Sequence, residues 1–448
     1  MNRFDFILNP SIGNEMYEWA SDLFPLNRSI TGDGVRKTLE YLKLLTPELV
    51  IKEIASNTKV FDWEVPKEWK VNNALLIGPR GNIIIDWKVN NLHLVNYSCK
   101  VNCKITLSEL KNHLFYLEEM PDAIPYITSY YSRNWGFCLT YNQFLQLEDG
   151  IYTVLIDTEL FDGVLNYGEI LIPGKVKDEV FFSTYICHPS MANNEISGPV
   201  VTCAIAREIL NLSKKSKLYY SYRIIFIPET IGAITYLAES DRYKYLKENV
   251  IAGFQVTCVG DDNMYSFLPS KYGNTYSDKV ALFVLNDVLN LKYKEYSFNI
   301  DRGSDERQWS SPGIDLPFVS IMRTKYGEYS EYHTSLDNLD YISPMGLMGA
   351  FKVLLKCVEV IELNCFYKSN VLCEPQLGKI NLYPAIGKRD VKQQVRDVLN
   401  ALIYMDGLND LIDICRIGEI NYEVCIDIIS ELTNKNLINE SKRYNSEN

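Results

Sequence analysis

The chain has 448 residues, 47% hydrophobic and 23% charged. That is the balance of a globular protein and enough length for two or three domains of roughly 100–200 residues each, and it excludes a largely disordered chain. Lysine and arginine number 45 against 57 aspartates and glutamates, a net charge of −12, and such a surface repels phosphate backbones and argues against nucleic acid as the main partner.

Eleven cysteines, with no CxxC pair among them, read as free thiols of a reducing compartment. The first ten residues lack the apolar core of a signal peptide, and no run of about 18 apolar residues suits a membrane span. A cytoplasmic protein without membrane contact is expected.

In chain order, Glu15–Phe24 is amphipathic and Pro25 stops it. Val35–Leu45 resumes the helical pattern with Val35, Leu39 and Leu42 on one face. Short strands are predicted over Ala74–Ile77, Asn82–Asp86 and Leu92–Val95, and residues 61–129 read as a small inserted β-rich domain. From Tyr152 strands and helices alternate. Strands are predicted over Tyr152–Asp157, Gly168–Ile172, Val180–Cys187, Tyr222–Ile227, Ile251–Val259 and Phe318–Met322. The turn Pro173-Gly174-Lys175 joins the second and third of these as a hairpin-like pair. Ser197 is expected to cap a helix running through Val201, Ile205 and Ile209. Ile231–Ala238 and Ala281–Leu289 read as helices, and Ser343 opens a long one through Leu363. This order predicts an α/β fold, a mainly parallel sheet flanked by helices, built from residues 1–60 and 130–370.

The tail carries three helical patterns, Val391–Tyr404, Leu408–Cys415 and Tyr422–Asn434, the cadence of a winged helix-turn-helix domain over 383–448. Between Asp390 and Glu440 ten acidic residues stand against four basic ones. A DNA reader needs a basic face, so a protein-contact or packing module is expected. Ser441–Asn448 reads as a frayed end.

Histidine is scarce, with only His93, His113, His188 and His333. His93 and His113 have apolar or aromatic neighbours and read as packing residues. His188 ends a strand and precedes Pro189; Glu229 follows the strand Tyr222–Ile227 and Pro228. In an open parallel sheet the carboxyl ends of the strands form the ligand crevice, so these two residues belong to equivalent positions. His333 lies in one polar loop, and Asp305 and Glu306 lie in another. Two imidazoles and several carboxylates on separate loops suit zinc, which needs about three protein ligands and an open water position for hydrolysis.

These residues resemble a known clan. Arg28-Ser29-Ile30-Thr31-Gly32, Gly168 to Gly174, the strand ending in His188, Ser197-Gly198, Pro228-Glu229, Ser304-Asp305 and His333-Thr334 resemble, in order, the co-catalytic zinc aminopeptidases. The phrases around His188 and Gly303–Gln308 look like a bacterial aminopeptidase-like family with an inserted β-rich domain and a winged-helix tail. The resemblance implies a zinc site using His188 and His333, with Glu229 as general base. It also places Asn194, Thr230 and Thr257 where the clan carries carboxylates. A neutral amide cannot balance two dications, so one zinc ion is expected, held by His188, His333 and one of Glu195, Asp305 or Glu306. Arg133, Arg302, Arg323, Tyr326 and Asn194 are candidate contacts for a small-molecule or peptide-like substrate, one with an acidic group if the arginines face it. The expected activity is metal-dependent hydrolysis of an amide or acyl bond. The alternative is a non-catalytic binding or scaffold protein that keeps the fold and has lost part of the metal site.

Overall fold

The computed structural model describes residues 9–216, 218–380 and 389–445. The N-terminal eight residues, the expected tail boundary at 383 and the last three residues of the expected frayed end lie outside the described residues.

All seven residues of the strand Glu179–Tyr185 are buried, because layers cover both faces of the sheet it belongs to. That sheet has eight strands. From one edge they are Val50–Ala55, Val164–Ile172, Ser221–Ile227, Glu179–Tyr185, Val250–Gln255, Phe318–Met322, Tyr265–Leu268 and Tyr293–Glu295. The central four run parallel; Val50–Ala55 pairs antiparallel with Val164–Ile172, which pairs antiparallel with Ser221–Ile227. Alternate side chains feed two cores. Val180 and Phe182 pack under the helices Ile12–Leu23, Ser197–Lys215 and Pro344–Leu363, while Phe181 points to the helix Ile231–Ala238 and to Trp309.

Several expected elements change. The strand Ile151–Phe161 leaves the main sheet and pairs with Glu68–Ile77 and Val101–Thr106 in a four-stranded antiparallel sheet completed by Ile83–Asp86. Its burial alternates, the signature of a half-buried antiparallel strand rather than a central parallel one. The strands Val164–Ile172 and Glu179–Tyr185 form no hairpin, because Ser221–Ile227 lies between them. The chain crosses at Gly174, where a Cβ would lie 2.2 Å from the Tyr220 carbonyl oxygen. The expected strand Leu92–Val95 is instead a tight helical turn, Asn91–His93, with the Asn90 side chain accepting from the Leu92 N–H. Ser197 does not cap its helix. A wide turn, Ala192–Ile196, precedes it, and Ser197 Oγ donates to the Asn193 carbonyl while accepting from the Val259 N–H. Such wide turns recur at functional sites.

The tail begins at the strand Phe366–Ser369, directly after the helix Pro344–Leu363, and pairs with Asp406–Asp410 and Ile438–Lys442. The expected helix Leu408–Cys415 is thus half strand, followed by the helix Leu411–Ile417 capped by Asp410. Lys279 bridges to Asp410 and Asp413 at 2.7 and 2.8 Å, and Tyr422 donates to Glu359 at 3.1 Å. The tail packs on the α/β domain, as its acidity suggested.

One buried charge cluster joins three strands and a helix. Arg223, 6% exposed, donates to Glu179 at 2.6 and 2.9 Å and to Glu169 and the Tyr236 hydroxyl. Arg223→Ala leaves two buried carboxylates without their cation and should destabilise the fold by about 3–5 kcal/mol. The denaturant midpoint measures this; an unchanged midpoint would show that water already solvates those carboxylates.

Candidate active site

The register of two neighbouring parallel strands brings the first two predicted residues together. Tyr185 pairs with Ile227, so the chain leaves the sheet at the same level in both strands. His188 follows one and Glu229 the other, and His188 Nε2 lies 3.6 Å from a Glu229 carboxylate oxygen. The loop after Phe318–Met322 returns His333, whose ring centroid is 5.5 Å from that of His188. Tyr126 completes a triangle, at 5.3 Å from His188 and 5.2 Å from His333.

His188 is held at its other nitrogen. Nδ1 bonds to Glu195 at 2.8 Å, and Arg28 Nε donates to the His188 carbonyl at 2.9 Å while lying 3.6 Å from Glu195. A carboxylate on one imidazole nitrogen sets the ring's orientation and frees the other for chemistry. A cavity of about 260 Å³ opens over Cys187, His188, Glu229 and Thr230, walled by Ile30, Trp63, Tyr130 and Tyr131. Tyr131, Ser190, Thr230, Cys258 and His333 all have positive φ. Non-glycine residues hold that conformation at a cost of order 1–3 kcal/mol each, and two of the five, Tyr131 and Thr230, line this cavity.

Burial opposes charge on His188, but Cys187 and Glu195 outweigh it and hold its pKa well above the ordinary value. Burial pushes the Cys187 thiol up to about 11, which leaves the 2.8 Å contact with Glu195 as the pull on the imidazolium. Burial, with His188 adding to it, lowers His333 to about 3 and keeps that ring neutral. Burial raises Glu229, against the pull of His188 and Arg307. Burial, then the proximity of Glu229, raises Asp305 well above the carboxylate range.

The other predicted residues divide. Asp305 accepts from the Thr230 N–H at 2.7 Å and leaves Oδ2 unpaired. Glu306 Oε1 accepts from the Gly303 and Ser304 N–H groups and from the Tyr326 hydroxyl, which makes Tyr326 a support for Glu306; its Oε2 is unpaired. Asn194 donates to the Tyr185 hydroxyl at 2.9 Å, and Tyr185 in turn bonds Thr257. Arg302 is exposed and bonds the carbonyls of Phe298 and Asn299 in its own turn. Arg323 donates to the Asp261 carbonyl and stacks on Tyr265. Arg133 is exposed and is not among the cavity-lining residues. These three arginines are not brought to His188. Arg307 is also exposed and outside the cavity lining, and it bonds Thr230 Oγ1 at 3.4 Å. His93 and His113 pack as expected, one on the Cys138 carbonyl and one on Trp135.

Arg28, Tyr126 and Asp337 were not assigned roles from the sequence. Asp337 accepts from the Asn193 and Asn194 N–H groups and from Tyr329, and so fixes the wide turn that carries Glu195. Only the Arg-Ser-Ile-Thr-Gly run and the Asp-rich stretch after His333 pointed toward two of them.

Residues 17–364 match the family model described as Domain of unknown function (DUF4910). The chain belongs to the DUF4910 family. A winged helix-turn-helix model matches residues 365–440, starting the tail with the strand Phe366–Ser369. A Clostridium acetobutylicum protein, named for polysaccharide biosynthesis and an aminopeptidase-like domain, is 44% identical over 413 residues, 91% of this chain and 92% of that one. The crystal structure of a Clostridium acetobutylicum protein named as a peptidase superposes with a TM-score of 0.87 at 41% identity, covering 96% of each chain. A zinc aminopeptidase from Bacillus subtilis superposes at 0.55 with 13% identity, covering 77% of this chain and 94% of that one. This DUF4910 chain therefore has an aminopeptidase-like α/β fold with a winged-helix tail, as the resemblance implied.

The side chains in this DUF4910 site include residue types that can hold a metal ion. His333 Nε2, Glu195 Oε1, Asp305 Oδ2 and Glu306 Oε2 are buried with no hydrogen-bond partner, and unpaired lone pairs at this density call for a cation or protons. Of the three positions where the resemblance implies carboxylates, Asn194 and Thr257 are neutral and joined through the Tyr185 hydroxyl, and Thr230 lines the cavity. Among the described residues only Cys187, His188 and Glu195 bring three potential ligand atoms within 4.8 Å of one another, and there Glu195 is spent on the hydrogen bond to His188.

In metal-free protein, Glu195→Gln removes the anion that favours the imidazolium, so His188 should titrate at lower pH than in the parent chain. With four histidines the shift is readable by NMR. An unmoved His188 titration would show that Glu195 does not carry that charge.

Proposed function

We propose that this protein is a single-zinc hydrolase of an amide or acyl bond, with Glu229 as general base. The observation that supports it is the position of His188, which lines the cavity with Glu229 3.6 Å from its Nε2 and with the His333 ring centroid 5.5 Å from its own. His188 and His333 would hold the ion through Nε2, with Asp305 or Glu306 moving in to contribute one of its unpaired oxygens, since these atoms do not all lie within 4.8 Å of one another here. Zinc bound there would lower the pKa of its water to about 7. Glu195 serves by orienting His188, not as a ligand.

Glu229 takes the proton of the attacking water and passes it to the leaving nitrogen or oxygen. Burial suits it to both steps, because a raised pKa strengthens the base and keeps the proton available. Burial and the proximity of Glu229 raise Asp305, which disfavours two adjacent charges there. Trp63, Tyr130 and Tyr131 exclude water and give an apolar wall for the acyl or side-chain group. Arg307 is the arginine placed to meet an acidic group on the substrate. The polysaccharide-biosynthesis name of the relative favours an acylated saccharide over a peptide.

The second reading is a binding or scaffold protein. It is supported by the neutral Asn194–Tyr185–Thr257 network, which removes charge from a site built in related folds for metals.

Metal analysis after zinc loading separates the two. About one zinc per chain, lost in His188→Ala and in His333→Ala, supports the hydrolase; no zinc in the parent protein supports the scaffold. Glu229→Gln should keep the metal and lower turnover of an amide or ester substrate by about 10²–10⁴-fold. Retained turnover would remove Glu229 from the reaction.

A further inference from the structure

A second cavity, about 550 Å³ in volume, lies across the segment Ser29–Thr31 from the catalytic one. Ile30 lines the catalytic cavity, whereas its neighbours Ser29 and Thr31 line the second. Ser190, two residues past His188, also lines it and accepts from Asn91 Nδ2 at 2.8 Å. The opposite wall comes from the inserted sheet.

The two cavities differ in chemistry. Lys37, Lys70 and Lys88 reach the second cavity, and none of them makes an ion pair among the described residues. Its carboxylate, Asp33, is already held by Arg36. Three lysines stand against one carboxylate among its lining residues, so the lining carries an excess of positive charge in a protein whose net charge is −12. Two indoles line it. Trp69 is braced from one side by Tyr97, with ring centroids 5.5 Å apart, and its Nε1 donates to the Ser98 carbonyl. Trp87 Nε1 and Asn91 Oδ1 are shielded from solvent without a partner in the protein, a state that is rare for buried polar atoms unless a ligand or water completes it.

We infer that this second cavity binds a carbohydrate bearing an anionic group, a phosphate or a carboxylate. Indole faces pack against the C–H faces of a sugar ring, an indole N–H and an amide oxygen match ring hydroxyls, and lysine ammonium groups act as point charges for the anion. The volume falls in the range of small-molecule sites. The inference stands without the hydrolase reading, since none of these side chains belongs to the catalytic cavity.

Calorimetry on the full chain tests it with four probes: glucose 1-phosphate, glucuronate, glucose and inorganic phosphate. Saturable binding of glucose 1-phosphate or glucuronate is expected, with glucose weaker. The double variant Lys70→Ala, Lys88→Ala should weaken it by about tenfold or more, the loss of charge-assisted hydrogen bonds, and Trp87→Ala should weaken it as well. Glu229→Gln should bind as the parent does. Both lysines are exposed, so that variant retains the fold. Absence of saturable binding by either sugar anion would overturn the proposal. Inorganic phosphate binding as tightly as glucose 1-phosphate would remove the carbohydrate from it. Binding lost in Glu229→Gln but intact in the lysine variant would move the ligand to the catalytic cavity and also overturn the assignment.

Discussion

The site depends on the register between two parallel strands. Because Tyr185 is level with Ile227, the residues just beyond each strand emerge side by side at one sheet edge. A shift of one residue would turn every side chain of the moved strand to the opposite core, and with Val180, Phe181 and Phe182 all buried that shift is closed off. Packing in two hydrophobic layers thus sets the separation of an imidazole and a carboxylate that share no packing role themselves.

Electrostatics then decides what this edge can hold. The related two-metal arrangement spreads positive charge over several carboxylates. Here three of those places hold an amide and two hydroxyl side chains, and two of the three satisfy one another through Tyr185. The remaining unpaired oxygens lie toward Glu195, Asp305 and Glu306. The site keeps its anionic character on one side only.

The parts of this fold that were legible in the sequence are those set by short-range pattern. Largely apolar runs marked the central strands, and Pro189 and Pro228 marked where two of them end, so His188 and Glu229 could be placed at the crevice. The strand Ile151–Phe161 was placed in the wrong sheet because its hydrophobic content, without its alternation, resembles its neighbours. Arg302 and Arg323 read as substrate contacts, yet one bonds its own turn and the other faces Tyr265; residue type says nothing of direction. Arg28 reaches His188 across 160 residues and Tyr126 arrives from the insertion. No local pattern encodes such meetings.

The inserted sheet is stitched to the catalytic loop by main-chain bonds. Tyr126 N–H donates to the His333 carbonyl at 2.8 Å, Ser335 N–H donates to the Ile124 carbonyl at 2.9 Å, and Pro125 bridges Thr334. A tilt of the appended module would therefore drag one imidazole relative to the other, which is anchored in the main sheet. The spacing of the two nitrogens becomes a mechanical readout of where that module stands, and evolution could retune the centre by reshaping a domain that contributes no donor atom to it.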